Sequence, residues 1–194
     1  MTGMTEIPET RGHGLHLRAW RVGDEGDADA VLKGLTDPEF RRWNTPLTPV
    51  DDLAGARRYL LKRSRLTESG DAVACAVADD STGEVLGSIG LSVINPVFRT
   101  AIVGYWVLPE ARGCGVATRA LSLVSRLGFG ELGLYRIELG HAVGHEVSCR
   151  VAERGGYGHE GTLRGAMFEA GTQDAFRDVH LHARLATDPE PDVV

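Results

Sequence analysis

Short apolar runs with strand period, interleaved with stretches of helical period, predict an α/β (α+β) protein with a central mixed, mostly antiparallel sheet and flanking helices. Three observations carry this. Asp71 to Ala78, Val85 to Ile94 and Ala101 to Leu108 are successive strand-like runs joined by short reversals, which gives an antiparallel meander. Two helical-period segments precede the meander. After Leu108 the pattern becomes helix, strand, helix and two further strands.

Taken in order, residues 1–11 are acidic, proline-bearing and poor in apolar side chains, so they are expected to be a flexible N-terminus. Leu15 to Trp20 alternates with period two and reads as a first strand. Asp27 to Leu35 and Asp51 to Arg65 carry helical spacing, and the turn-rich Trp43 to Pro49 separates them. This pair is placed to cover a cleft. Asp79 to Gly83 is a turn between strands, and Asn95-Pro96 with Arg99-Thr100 marks the next reversal. Helix 114–127, strand 134–142, helix 145–154 and strands 157–168 and 175–185 complete a single domain over residues 12–186. Residues 187–194 read as a flexible acidic tail.

Bulk properties narrow the function. The 194 residues are 42% hydrophobic and 25% charged, ordinary for one soluble globular domain. A net charge of -6 disfavours general nucleic-acid binding, which needs a basic face, and an acidic surface suits a cationic substrate. Cys75, Cys114 and Cys149 are odd in number and far apart, so they form no disulfide framework and fit a reducing compartment. The first ten residues lack a basic lead and an apolar core, so no signal peptide is read and a cytoplasmic location is expected. The longest apolar run, Ala72 to Ala78, is far shorter than the ~20 residues that span a bilayer. No membrane association is expected.

The segment Gly104 to Leu121 is the most informative. An apolar strand breaks at Pro109 and enters a helix through a turn holding Gly113 and Gly115. Glycine lets backbone approach a ligand closely, and the helix start presents free N–H groups and partial positive charge, so the turn reads as a diphosphate cradle. Arg112 adds a guanidinium suited to phosphate oxygens. Gly128 to Gly133 also matches G-x-G-x-x-G, but it follows a helix and precedes a strand, the reverse of a dinucleotide fingerprint. It is read as a helix C-cap turn. In Gly144 to Tyr157, Val147, Val151 and Ala152 fall at helical spacing and leave Ser148 beside the helix start, facing a ligand. Cys149, next to it, has no readable His-Asp pairing, so a covalent acyl-enzyme is not favoured. Asp178, His180 and His182 share one strand face, but two histidines on one strand lack the further ligands of a zinc site, and no metal is expected.

The order Arg112-x-x-Gly115-x-Ala117 after a strand resembles the acyl-CoA-binding signature of the GCN5-related N-acetyltransferase (GNAT) superfamily. Arg136 to Leu139, Gly144 to Tyr157 and Glu160 to Arg164 resemble the second half of that fold, closest to its RimJ/RimL ribosomal-protein alanine acetyltransferase branch. The resemblance covers residues 12–186. It implies an acyl-CoA-dependent N-acyltransferase with acetyl-CoA as donor, in which a primary amine of a protein N-terminus or small molecule attacks the thioester directly, without a metal. It further implies a sheet whose strand 101–108 splays from strand 134–142 so that pantetheine and the oxyanion pair with backbone near Val107. Arg112, Gly113, Cys114, Gly115, Val116, Ala117 and Thr118 would then hold the diphosphate.

Three of the family's positions differ. His145 stands where the resemblance places a pantetheine-binding Asn, and imidazole cannot present an amide's paired donor and acceptor. Met167 stands where related enzymes carry a Glu base, which leaves Glu169, two residues on, and His141 as candidate bases. Ala152 occupies the position of the tyrosine proton donor of many relatives, so Ser148 is the candidate partner of the leaving thiolate. Trp43, Tyr105 and Trp106 are candidates for lining the acceptor pocket, with loops 36–50 and 165–175 setting the substrate. The resemblance also implies a homodimer. The alternative is a noncatalytic acyl-CoA-binding or sensor module that keeps the glycine turn and has lost the reactive groups.

Overall fold

The computed structural model describes residues 9–193. Eight strands form one sheet: β1 (Thr10–Gly12), β2 (Leu15–Ala19), β3 (Val73–Asp79), β4 (Val85–Asn95), β5 (Thr100–Val107), β6 (Arg136–Ala142), β7 (Gly158–Phe168) and β8 (Phe176–Leu185). Their order across the sheet is β1-β2-β3-β4-β5-β6-β8-β7. Every neighbouring pair is antiparallel except β5 with β6. The predicted mixed, mostly antiparallel sheet is therefore present.

Among the described residues, five α-helices flank it: α1 (Glu25–Thr36), α2 (Pro38–Trp43), α3 (Leu53–Glu68), α4 (Val116–Gly130) and α5 (Glu146–Arg154). The first three begin the same way. Asp24, Asp37 and Asp52 each accept a hydrogen bond from a backbone N–H three residues on, satisfying a donor the helix cannot. The expected helix starts near Asp27 and Asp51 were thus close to the real caps, while α2 lies inside a stretch read as loop. Pro38 explains it, because proline is at home in a first helical turn.

Strand β3 shows how the sheet is covered on both faces. Val73, Cys75 and Val77 join a core with Leu121, Val124 and Leu127 of α4, whereas Ala74 and Ala76 join a second core with Ala28 and Val31 of α1 and Leu60 of α3. Such double burial gives a continuous apolar run in place of alternation. On the second face α1 sits so near the sheet that a Cβ on Gly34 would lie 2.5 Å from the Trp106 ring. A buried ion pair joins α1 to β2, with both Arg18 guanidinium nitrogens donating to Asp27 at 2.7 and 2.8 Å. Fully hydrogen-bonded pairing of this kind is what makes buried charge tolerable.

Three expectations need correction. The first narrows the C-cap reading of Gly128 to Gly133: the cap is Glu131, but α4 runs through Gly130, and Gly128 is a packing glycine whose added Cβ would meet Ile137 Cδ1 at 2.8 Å. Only Gly133, with φ of 63°, has the left-handed turn conformation. Next, the flexible N-terminus was drawn too long, because Thr10–Gly12 pairs with β2 as an edge strand. The expectation for residues 1–8 lies outside the described residues. Finally, the described part of the tail packs on the domain: buried Arg184 donates to the Pro189 carbonyl and pairs with Glu190 at 2.8 Å, and Val193 is buried. Its acidic composition supplies the partner that Arg184 needs.

Candidate active site

The parallel pair β5 and β6 matches only from Thr100 with Arg136 to Ile102 with Glu138. Beyond Ile102 the strands part, although β5 remains paired to β4 as far as Val107 and β6 remains paired to β8 as far as Ala142. A wedge therefore opens between them, lined by backbone groups with no partner strand. This is the expected splay. An extended, amide-bearing chain entering it can add to the edge of β5 as a strand would.

At the mouth of the wedge, β5 ends in a short 3-10 turn, Pro109–Ala111, followed by the predicted glycine turn. Gly113 and Gly115 have φ of 77° and 71°, values a β-branched residue adopts only with strain. Gly115 caps α4 without any side-chain hydrogen bond, so the first N–H groups of α4 stay available to an anion. Gly113, Cys114 and Gly115 are exposed, while Val116 is 3% exposed and packs in the core. Of Val116, only the backbone N–H can serve a ligand. Ala117 and Thr118 are half-buried.

Arg112, expected on the diphosphate, is engaged within the protein. Its guanidinium is paired with Asp37, the α2 cap, and Nε donates to the Val107 carbonyl at 3.2 Å. Burial pushes the Asp37 carboxyl up, but the hydrogen bonds from Arg112 and the Phe40 N–H outweigh it and leave the group below the ordinary carboxylate range. Arg112 thus fastens the end of β5 to α2. Arg119 went unnoticed in the sequence and stands over the same turn, donating to the carbonyls of Cys114 and His13. Its position four residues past Gly115, one helical turn on, was the available signal.

Tyr105 and Ser148 face each other across the wedge, with Oη and Oγ 2.8 Å apart. Ser148 is 5% exposed in the first turn of α5. Burial pushes the Tyr105 phenol up to about 12, with the bond to Ser148 acting in the other direction, so it remains protonated at neutral pH. The sequence placed Tyr105 among acceptor residues; the structure makes it the partner of Ser148. On the other side of β5, Trp106 stacks with Trp20 at 6.1 Å and also lines a cleft with Tyr105, Gly104, Ser88, Phe40 and Asn44. It is a core residue with one edge on the cleft.

Trp43, at the end of α2, lies flat on His145 with ring centroids 4.4 Å apart and planes 5° apart. Burial, with His141 and two arginines reinforcing it, pushes His145 down to about 4, so the stacked imidazole is neutral. The stack joins two elements assigned to different tasks in the sequence, acceptor binding and pantetheine binding. The arm 40–47 also lines a groove with residues 165–168 and Phe176, and Thr45 donates to the Glu169 carbonyl at 2.9 Å. The two loops expected to set the substrate therefore meet.

The candidate bases are less well placed. Glu169 lies beyond the end of β7, so the period-two argument does not apply to it; its carboxylate sits at the hairpin tip, exposed and 3.8 Å from Arg177. His141 is 4% exposed, its Nδ1 toward the Ala142 carbonyl and its Nε2 toward His182, with neither nitrogen bonded to the Tyr105–Ser148 pair. Asp178 and His180 do not converge with His182 on a metal: Asp178 accepts from the Gly165 N–H, while His182 is fully buried.

A splayed parallel pair, a glycine-capped helix at its mouth and a hydroxyl pair across it together suit an acyl thioester on a long nucleotide handle. Residues 15–158 match the family model described as acetyltransferase (GNAT) domain. The chain belongs to this GNAT family. By that membership it is a GNAT-type N-acetyltransferase. Among relatives, it is 30% identical over 158 residues to the probable N-acetyltransferase YjcK of Bacillus subtilis (strain 168), covering 79% of this chain and 86% of that one. It is 33% identical over 102 residues to the ribosomal-protein-serine acetyltransferase of Escherichia coli (strain K12), covering 53% and 55% of the two chains. RimJ of Mycobacterium smegmatis, solved with CoA-disulfide, superposes with a TM-score of 0.79 at 24% identity over 89% of this chain and 82% of that chain. This last likeness establishes the GNAT fold.

Proposed function

We propose that this GNAT protein transfers acetyl to a primary amine that enters through the groove between the 40–47 arm and the β7–β8 tip. The Tyr105–Ser148 pair in the β5–β6 wedge is the observation that carries this reading. Pantetheine lies in the wedge against the free edge of β5, with the diphosphate on the N–H groups from Gly113 to Thr118 and on Arg119. The amine nitrogen attacks the thioester carbonyl, a C–N bond forms, and backbone N–H near Val107 stabilises the oxyanion. The C–S bond then breaks. Tyr105 donates to Ser148, which turns the serine hydroxyl toward the departing sulfur, and the thiolate is held by that hydrogen bond.

The amine must also lose a proton. Glu169 stands next to the groove as the carboxylate that takes it through water, since no described side-chain carboxylate bonds the Tyr105–Ser148 pair directly. A protein N-terminus fits the groove best, because its open, apolar lining of Phe40, Leu47, Met167 and Phe176 suits an extended peptide. The same reading includes a reducing cytoplasm, matched to Cys75, Cys114 and Cys149 as free thiols, and a homodimer. Among the described residues, no helix is long and apolar enough to cross a membrane.

The test is release of free CoA thiol from acetyl-CoA in the presence of N-terminal peptides, polyamines or amino sugars. Steady release that depends on a peptide amine supports the proposal. Release only with a small polyamine would move the acceptor to that class, and intact thioester with every amine would overturn the reading.

A further inference from the structure

Three metal-ligating side chains that the transfer reaction does not use meet beside Ser148. His141 on β6, His182 on β8 and Cys149 on α5 bring one ligand atom each to within 4.8 Å of one another. The two imidazoles are 4% and 0% exposed, and Cys149 is half-buried.

The hydrogen bonds fix what the rings offer. His141 Nδ1 lies 3.0 Å from the Ala142 carbonyl oxygen, and His182 Nδ1 lies 3.3 Å from that of Tyr157. A carbonyl oxygen only accepts, so each Nδ1 carries the ring hydrogen. Each Nε2 of a neutral ring is then a bare lone pair, and the two face each other at 3.2 Å. Two acceptors in that position repel. The Cys149 thiol, with Sγ 3.7 Å from His182 Nε2, has one hydrogen and can serve only one of the pair.

A cation relieves both. Zinc about 2.05 Å from nitrogen and about 2.3 Å from sulfur, at tetrahedral angles, sets two nitrogens roughly 3.3 Å apart and nitrogen from sulfur roughly 3.6 Å. The two measured edges, 3.2 and 3.7 Å, fit that figure. The third edge, no longer than 4.8 Å, has at most about 1.2 Å to close.

We propose that His141, Cys149 and His182 form a binding site for a borderline-soft divalent cation, zinc in preference to magnesium or calcium, which ties α5 to β6 and β8. Thiolate and imidazole select such a metal over the hard cations. The carbonyl bonds at both Nδ1 atoms are the outer support that orients histidine ligands. The fourth position takes water or the nearby Glu153, whose Oε1 is 3.7 Å from Cys149 Sγ. Binding converts the thiol to thiolate and releases one proton to solvent. The zinc-site pattern was discounted in the sequence because β8 alone holds too few ligands; the missing ones come from β6 and α5.

The experiment uses the whole chain, stripped by chelator and titrated with cobalt(II), then with zinc in competition. The expected result is one equivalent per chain, with tetrahedral cobalt absorption and a thiolate-to-cobalt charge-transfer band that zinc abolishes. Cys149→Ser should lose that band and weaken zinc binding at least about tenfold. A second readout needs no variant: one equivalent of zinc should protect Cys149 from alkylation while exposed Cys114 reacts unchanged. Absence of saturable cobalt binding, a spectrum without the thiolate band, or Cys149 alkylation indifferent to zinc would overturn the site.

Discussion

Removing the two hydroxyls of the wedge one at a time tests how Ser148 works. Ser148→Ala deletes the group proposed to hold the departing thiolate. A single donor aimed at developing negative charge in a water-poor site is worth roughly 2.7–4 kcal/mol, so turnover should fall about 100-fold to 1,000-fold. Tyr105→Phe keeps the ring and removes only the donor to Ser148. A neutral hydrogen bond contributes about 1 kcal/mol net, which predicts a loss of about fivefold. The two should not multiply, because Tyr105 acts through Ser148: in the Ser148→Ala background, Tyr105→Phe should change turnover little. The assay is single-turnover acetyl transfer, which isolates chemistry from product release. Acetyl-CoA affinity should stay near that of the wild type in all three variants. Multiplying losses, or a Tyr105→Phe loss as large as that of Ser148→Ala, would refute the relay and give Tyr105 its own contact with the reacting atoms.

Four further outcomes follow from other parts of the molecule. Arg119→Ala should weaken acetyl-CoA binding about tenfold by calorimetry and Arg112→Ala less, because Arg112 is already neutralised by Asp37 while Arg119 bonds only carbonyls among the described residues. An equal or reversed order would remove Arg119 from the diphosphate site. His145 has a folded pKa near 4 against about 6.5 unfolded, so between those values the unfolded chain takes up a proton that the native ring refuses. Stability is therefore fully present above about pH 6.5 and lost progressively down to about pH 4, and His145→Asn should flatten the fall in melting temperature over that window. Gly128→Ala should destabilise by about 1–2 kcal/mol in denaturant, because crowding against Ile137, Leu91 and Leu134 exceeds the helix propensity gained; a stabilised variant would contradict the packing role. Trp43→Ala should speed proteolysis of the 38–50 arm by freeing it from His145, and an unchanged rate would deny the stack that function.

Local chemistry made much of this molecule readable. The meander was plain because Asp79 to Gly83 and the Asn95–Thr100 stretch punctuate three apolar runs, and the glycine turn was plain because strand, Pro109, Gly113 and Gly115 occur in a fixed order. What could not be read depends on partners far along the chain. Thr10–Gly12 has no strand signal of its own and is ordered by β2. The tail reads as solvated until Arg184 is seen buried against it. Gly128 resembles a cap until Ile137 is seen packed over it.

The same holds for the site. Ser148 was visible from its helix and from the family likeness, but its bond to Tyr105 joins residues 43 positions apart. The Trp43–His145 stack joins positions assigned to two separate tasks. Glu169 could not be placed from strand period, because β7 ends at Phe168 and leaves it at the hairpin tip beside the groove. The His141, Cys149 and His182 cluster draws on three elements, and no spacing in the sequence announces it.

The most direct test of the central claim is calorimetric titration of the protein and of Gly115→Val with acetyl-CoA. A Cβ at Gly115 meets only Arg119 Nε at 3.9 Å, but φ of 71° strains a valine there by about 1–2 kcal/mol and its side chain adds bulk to the exposed turn, so the fold should persist while the site is lost. Saturable one-to-one binding to the wild type, abolished in a folded Gly115→Val, is the predicted result; absence of binding to the wild type, or equal binding to both, would contradict the account.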